Sequence, residues 1–126
     1  MKVSAEQYVP LAMSTCSDKF HPDLVAPQLL HASMGMVTEA GEFQDALKRA
    51  LFYGKPLDPV NLVEELGDVA WYIAIACNHL GVGLEETFGI NIAKLKKRFP
   101  DKFTQHAALF RDLEGEYEVL KEGVAE

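Results

Sequence analysis

Cysteine is scarce in this 126-residue chain: Cys16 and Cys77 stand alone, with no CxxC and no Cys/His cluster. That excludes a thiolate metal site, and the expectation is two reduced thiols in a cytoplasmic protein. Long hydrophobic runs are also missing. The longest, VAWYIAIAC from Val69 to Cys77, falls far short of the roughly 20 residues that a membrane span requires. Nothing at the N-terminus resembles a signal peptide. Positive charge is in deficit, with 12 Lys and Arg against 19 Asp and Glu and a formal net charge of -7. A general nucleic-acid binder needs a basic face and is excluded on that ground. There is no GxxxxGK[ST] loop to cradle phosphates, and strand-like alternation is nearly absent.

What remains is a helical pattern over a chain long enough for one domain with its own core. A first helix is expected from Ser4 to about Cys16, with Ser4 and Gln7 at capping-box spacing and Pro10 kinking it. A long second helix spans about Leu29 to Phe52. A third starts at the N-cap Asp58 with Pro59 in the first helical position and ends near Leu80. A fourth runs from about Leu84 to Phe99 and is stopped by Pro100. The tail from Thr104 to Glu122 reads as one further amphipathic helix, broken or bent at Gly115. The expected fold is all-α, a compact bundle of four or five helices forming a single domain over residues 1–126.

The second and third helices carry carboxylates in unexpected places. On the second, Met36, Ala40, Phe43 and Leu47 form the expected core stripe; Glu39 lies about 60° and Glu42 about 120° from Met36 around the axis. Small residues, Ala32, Gly35 and Ala46, surround them. On the third, the stripe is Leu62, Leu66, Val69, Ile73 and Leu80; Glu65 and Asp68 repeat the same offsets, in the same sense, from Leu62. The short connection from Tyr53 to Asp58 makes the two helices antiparallel neighbours. A two-fold operation relates such a pair, so equal offsets send all four carboxylates into one groove. Glu64, about 160° from the core centre, is a solvated neighbour.

Four acidic groups in one groove repel unless neutralised, and no Lys or Arg occupies the motif positions. A hard divalent cation with oxygen ligands, such as Mg²⁺, meets that need and bridges carboxylates to phosphates. Histidine is absent from these positions, which sets the pattern apart from di-iron bundles with Glu-x-x-His motifs. His21, His31, His79 and His106 form no ligand spacing, although His79 shares an angular stripe with Asp68 and Tyr72.

Together, EAGE at 39–42 and ELGD at 65–68, separated by 22 residues, resemble the ExxE and ExxD signature of the MazG-like, all-α nucleoside triphosphate pyrophosphohydrolases. The resemblance extends through LHASMGMVTEAGEFQDALKR, NLVEELGDVAWY and NIAKLKKRFPDKF. It implies Mg²⁺-dependent cleavage, with Mn²⁺ as a possible substitute, between the α and β phosphates of a nucleoside triphosphate, in the service of nucleotide-pool sanitation. It also implies that Glu39, Glu42, Glu65 and Asp68 are the catalytic metal ligands. One carboxylate, Glu39 or Glu42, would accept the proton of the attacking water.

By the same resemblance, Asn91, Lys94 and Arg98 on one face of the fourth helix are candidate phosphate or sugar contacts; the other reading is a solvated basic end favoured at a helix C-terminus. Lys96 and Lys97 fit that second reading. Tyr72 either meets the nucleoside or is a plain interface tyrosine. Trp71 and Ile75 make the third helix apolar almost all round, so a homodimer or homotetramer is expected, in line with the family. Two rivals stay open: a phosphoribosyl-ATP pyrophosphohydrolase, and a non-catalytic helical interaction module with an acidic cation-binding groove.

Overall fold

Most helix starts in this chain fall where a local side chain satisfies backbone groups that a helix end leaves without partners. The computed structural model describes residues 1–125, and these contain helices, turns and loops but no strand. Helix α1 (Ala5–Met13) opens with the expected capping box. Ser4 Oγ accepts from the Gln7 N–H at 3.2 Å and Gln7 Oε1 from the Ser4 N–H at 3.0 Å, an arrangement typically contributing about 1 kcal/mol. The helix ends at Met13 rather than Cys16, with Pro10 inside it. A 3₁₀ turn at Pro22–Leu24 leads to α2 (Pro27–Tyr53), which starts on a proline and ends at Gly54. Gly54 has φ 69°, a left-handed conformation that glycine adopts without a Cβ penalty.

Asp58 caps α3 (Pro59–Leu80) as expected, accepting from the Val60 N–H at 2.9 Å. In α4 (Leu84–Arg98), Glu86 reaches back to the Gly83 N–H at 3.0 Å. The tail is broken, though not at Gly115: it forms two helices, α5 (Gln105–Leu109) and α6 (Leu113–Ala125). Asp112 is the cause. Its Oδ1 accepts the Gly115 N–H at 3.0 Å and so starts a new helix. Gly115 therefore lies in the first turn of α6, where a Cβ would overlap the Asp112 side chain. The described residues thus form six α-helices, where four or five were expected. None of those described is long and apolar enough to cross a membrane.

Two helical hairpins result. Helix α2 packs along α3, α4 packs along α6, and α3 meets α4 mainly near the turn that joins them. At that turn Cys77 Sγ, buried, lies 3.5 Å from Thr87 Oγ1. The expected core stripe needs correction. Leu47, Leu66 and Leu80 are exposed, and Met36, Phe43, Leu62, Val69 and Ile73 are only half-buried. The residues that α2 buries are Ala32 and Gly35, on the small-residue side, rotated roughly 40–100° from Met36. A Cβ on Gly35 would overlap the Tyr72 ring, so α3 approaches α2 where α2 has least side chain. His31 meets the same ring edge-on, with centroids 5.5 Å apart. Small residues bring the helix axes closest, and the larger apolar stripe lies beside the seam rather than in it.

The second hairpin is fastened by charge. Glu116 on α6 is 3% exposed and receives two guanidinium groups. Arg98 donates Nε to Oε1 at 2.8 Å and Nη2 to Oε2 at 2.6 Å. Arg111 donates to the same two oxygens at 3.3 and 2.6 Å. Hydrogen bonds from Arg98, then those from Arg111, outweigh the cost of desolvation and hold this carboxyl well below its ordinary value. A depressed folded-state pKa contributes stability above the unfolded value of about 4.5 and loses it as pH falls toward the folded value. Replacing Glu116→Gln is therefore expected to lower Tm at neutral pH, with the wild-type and variant curves converging below about pH 4.5. Circular-dichroism melts across pH measure this. A gap undiminished in acid would show that the carboxylate charge is not its source.

Candidate metal centre

The seam that buries Ala32 and Gly35 continues directly into the carboxylates. On α2, Glu39 is one helical turn beyond Gly35 on the same side; on α3, Glu65 takes the central position and is only 5% exposed. One carboxylate oxygen from each of Glu39, Glu42 and Glu65 lies within 4.8 Å of the other two. Glu39 is half-buried and Glu42 exposed. The equal offsets on two antiparallel helices thus bring together three of the four carboxylates. Asp68 stands outside this close set and is exposed, yet its charge still acts on Glu39.

The electrostatics are those of a site short of positive charge. Glu39 is raised above its ordinary value, first by desolvation and then by the negative charges of Glu42, Asp68 and Glu65. A hydrogen bond to Glu65 acts in the same direction. Asn61, one turn before Glu65 on α3, donates Nδ2 to Glu65 Oε1 at 2.7 Å and orients that carboxylate. This amide is the supporting residue that sequence reasoning missed. An asparagine four positions before a motif glutamate was its available signal. Three carboxylates converging from two helices, one of them aimed by an amide, make an all-oxygen donor set suited to a hard divalent cation.

The other candidates lie elsewhere in the chain. Tyr72 is seated on Gly35 between the helices, with Trp71 edge-on at 4.8 Å between centroids. Its ring therefore takes part in the α2–α3 contact. Asn91, Lys94 and Arg98 are on α4, which packs on α6 and not along the α2–α3 seam. Asn91 is exposed and Lys94 half-buried, with no ion-pair partner for Lys94 among the described residues. Arg98 is committed to Glu116 within the same chain.

Like-charge crowding has a measurable sign. A carboxyl whose folded-state pKa is raised opposes folding once ionised, so Glu39→Gln is expected to raise Tm of the metal-free protein at neutral pH. Adding Mg²⁺ or Mn²⁺ is expected to raise Tm of the wild type and to have much less effect on the variant. Differential scanning fluorimetry with and without the ions reads both effects. Equal metal-induced shifts in the two proteins would remove Glu39 from the ligand set.

Comparison with known proteins agrees with this geometry. Residues 29–103 match the family described as the MazG nucleotide pyrophosphohydrolase domain, and that span contains the whole α2–α3 hairpin from Leu29 onward and all of α4. The chain is also similar to the "Gene 37 protein" of Mycobacterium phage L5, at 38% identity over 77 residues. The aligned part is 56% of this chain and spans 65% of the relative's length. No solved structure matches. With more than half of its length matched, and with the carboxylates of both motifs meeting across one helix seam, the chain belongs to the MazG nucleotide pyrophosphohydrolase domain family.

Proposed function

We propose that the chain is a Mg²⁺-dependent nucleoside triphosphate pyrophosphohydrolase, with Mn²⁺ able to substitute, giving a nucleoside monophosphate and pyrophosphate. The observation that carries this reading is the convergence of Glu39, Glu42 and Glu65 within 4.8 Å at a partly desolvated seam. A bound divalent ion supplies charge neutralisation for the phosphates and a more acidic water. The protein's own part is to hold Glu39, Glu42 and Glu65 in fixed positions, with Asp68 as the fourth carboxylate. Asn61 aims Glu65, and Glu39 or Glu42 takes the proton of the attacking water. Phosphoryl transfer needs mainly positioning and electrostatic stabilisation, both within reach of a helix pair of this kind. The biological use we infer is sanitation of the nucleotide pool in a cytoplasmic setting.

Self-association belongs to the same proposal. The chain exposes 10520 Å², whereas a compact monomer of 14.0 kDa exposes roughly 6,700 Å². The excess is apolar in large part: Leu66 is 57% and Trp71 56% exposed, and Val60, Val63 and Leu80 are more so. Burial of that stripe against a second copy in a homodimer or homotetramer would remove it from water. An α4–α6 arm that does not lie on its own α2–α3 seam is free to lie on a partner's. Lys94 could then meet phosphate there, as could Arg98 if it exchanged Glu116 for the substrate. Light scattering at micromolar concentration is expected to give a dimer or larger; a pure monomer would overturn this part.

Activity is tested by pyrophosphate release across a panel of canonical, deoxy and noncanonical nucleoside triphosphates, with phosphoribosyl-ATP included, each with and without Mg²⁺. Metal-dependent release from at least one nucleoside triphosphate is expected. Glu65→Ala or Asp68→Ala is expected to reduce kcat at least about 100-fold while helical circular dichroism is retained. Silence across the whole panel would leave the acidic groove as a cation-binding interaction surface. Release from phosphoribosyl-ATP alone would move the assignment to that substrate.

A further inference from the structure

The groove does not stop at the carboxylates. Toward the α2–α3 turn it opens into a cavity of about 580 Å³, bordered by Glu42, Glu65 and the Asn61 amide on the metal side and by Asp45, Arg49 and Lys55 toward the turn. The far end carries two cations and one carboxylate, and it is locally fixed. Gly54 turns the chain in its left-handed conformation, and the Gly54 and Lys55 N–H groups both donate to the Arg49 carbonyl, the latter at 3.2 Å. The turn thus ties Lys55 to the last turns of α2, close to Arg49. Arg49 shares Asp45 with Lys48, its Nε lying 2.6 Å from Asp45 Oδ2. Lys55 has no ion-pair partner among the described residues.

A cavity with the converging glutamates at one end and, beside the Asp45–Arg49 pair, an unpaired ammonium at the other suits an extended polyanion that begins on a carboxylate-bound cation and runs toward the lysine. We propose that Lys55, with Arg49 beside it, binds the two terminal phosphates of the nucleotide, the part that leaves as pyrophosphate. This inference rests on the proposed pyrophosphohydrolase reading and gives the substrate a direction in the groove. The triphosphate points toward the α2–α3 turn and the nucleoside toward the opposite, His31 and Tyr72 end of the hairpin. In the reaction, the water oxygen forms a bond to the α phosphorus while the bond from that phosphorus to the α–β bridging oxygen breaks. The bridging oxygen departs on pyrophosphate with the bonding electron pair, and the water proton passes to a carboxylate. Negative charge grows on the leaving group, and Lys55 is placed to meet it.

Binding separates this proposal from the activity on which it rests. Isothermal titration of Mg²⁺ with pyrophosphate, and separately of adenosine monophosphate, is carried out on the wild type, Lys55→Ala and Lys55→Arg. Removing a charged hydrogen-bond partner predicts that Lys55→Ala weakens pyrophosphate binding about tenfold and leaves the monophosphate unchanged, with Lys55→Arg restoring most of the loss. With an active substrate, product inhibition by pyrophosphate is expected to weaken in parallel. Equal pyrophosphate affinity in wild type and Lys55→Ala, or a loss confined to the monophosphate, would overturn the assignment. An inactive wild type that still shows the Lys55-dependent pyrophosphate binding would instead refute the catalytic reading and leave the subsite standing.

Discussion

Everything at the candidate site depends on how closely α2 and α3 can approach. The contact is made over Ala32 and Gly35 on one helix and around Tyr72 on the other, where any side chain at Gly35 would collide with the ring. Close approach at that level brings the next turns together as well. The residues carried into the gap there are Glu39 and Glu65 rather than apolar side chains. The geometry of the carboxylates is therefore a consequence of helix packing: small residues set the spacing, and the spacing sets the distance between carboxylates. A bulkier seam would hold the same glutamates too far apart to share an ion.

The same choice explains why the larger apolar residues lie outside. A seam built on small residues leaves Leu47, Leu66 and Leu80 without cover in their own chain, and the α4–α6 arm, clasped through Glu116, does not fold back over them. Site geometry and the larger apolar surface are divided between two faces of one hairpin. The seam face determines where the carboxylates sit, and the adjoining face exposes the larger apolar side chains.

This division also decides what could be read from the sequence. The ends of α3 near Asp58, Pro59 and Leu80 follow from local chemistry and were legible, as was the Ser4–Gln7 capping box. Legible too was the grouping of Glu39, Glu42 and Glu65, because helical angle alone puts them on matching sides of two connected helices. Which side formed the seam was not legible. Hydropathy points to Met36 and Leu66, whereas close packing selects Ala32 and Gly35, and a sequence without its partner surface cannot rank those demands. The Arg98–Glu116 clasp spans 18 positions and follows no helical period. The start of α6 at Asp112 was missed because Gly115 is the more conspicuous helix breaker, although the aspartate's side chain makes the cap.

Among the described residues two acidic side chains are buried, Glu65 and Glu116, and they are treated differently by the fold. Burying a carboxylate is costly unless charge and hydrogen bonds replace the lost water. At Glu116 the chain provides this in full, with two bidentate guanidinium groups, and the carboxyl is driven strongly toward its ionised form. At Glu65 no guanidinium or ammonium is paired with the carboxylate among the described residues; the neutral amide of Asn61 donates to it, and the groups converging on it from α2 are carboxylates. Arg49 is close in sequence to this region but is paired with Asp45. A fold that satisfies one buried glutamate with two arginines and gives the other none has left a position of high negative potential at the seam. That imbalance is unfavourable for the bare chain and would be relieved by a cation, and it supports reading the carboxylates as a binding site rather than as packing tolerated at a helix interface.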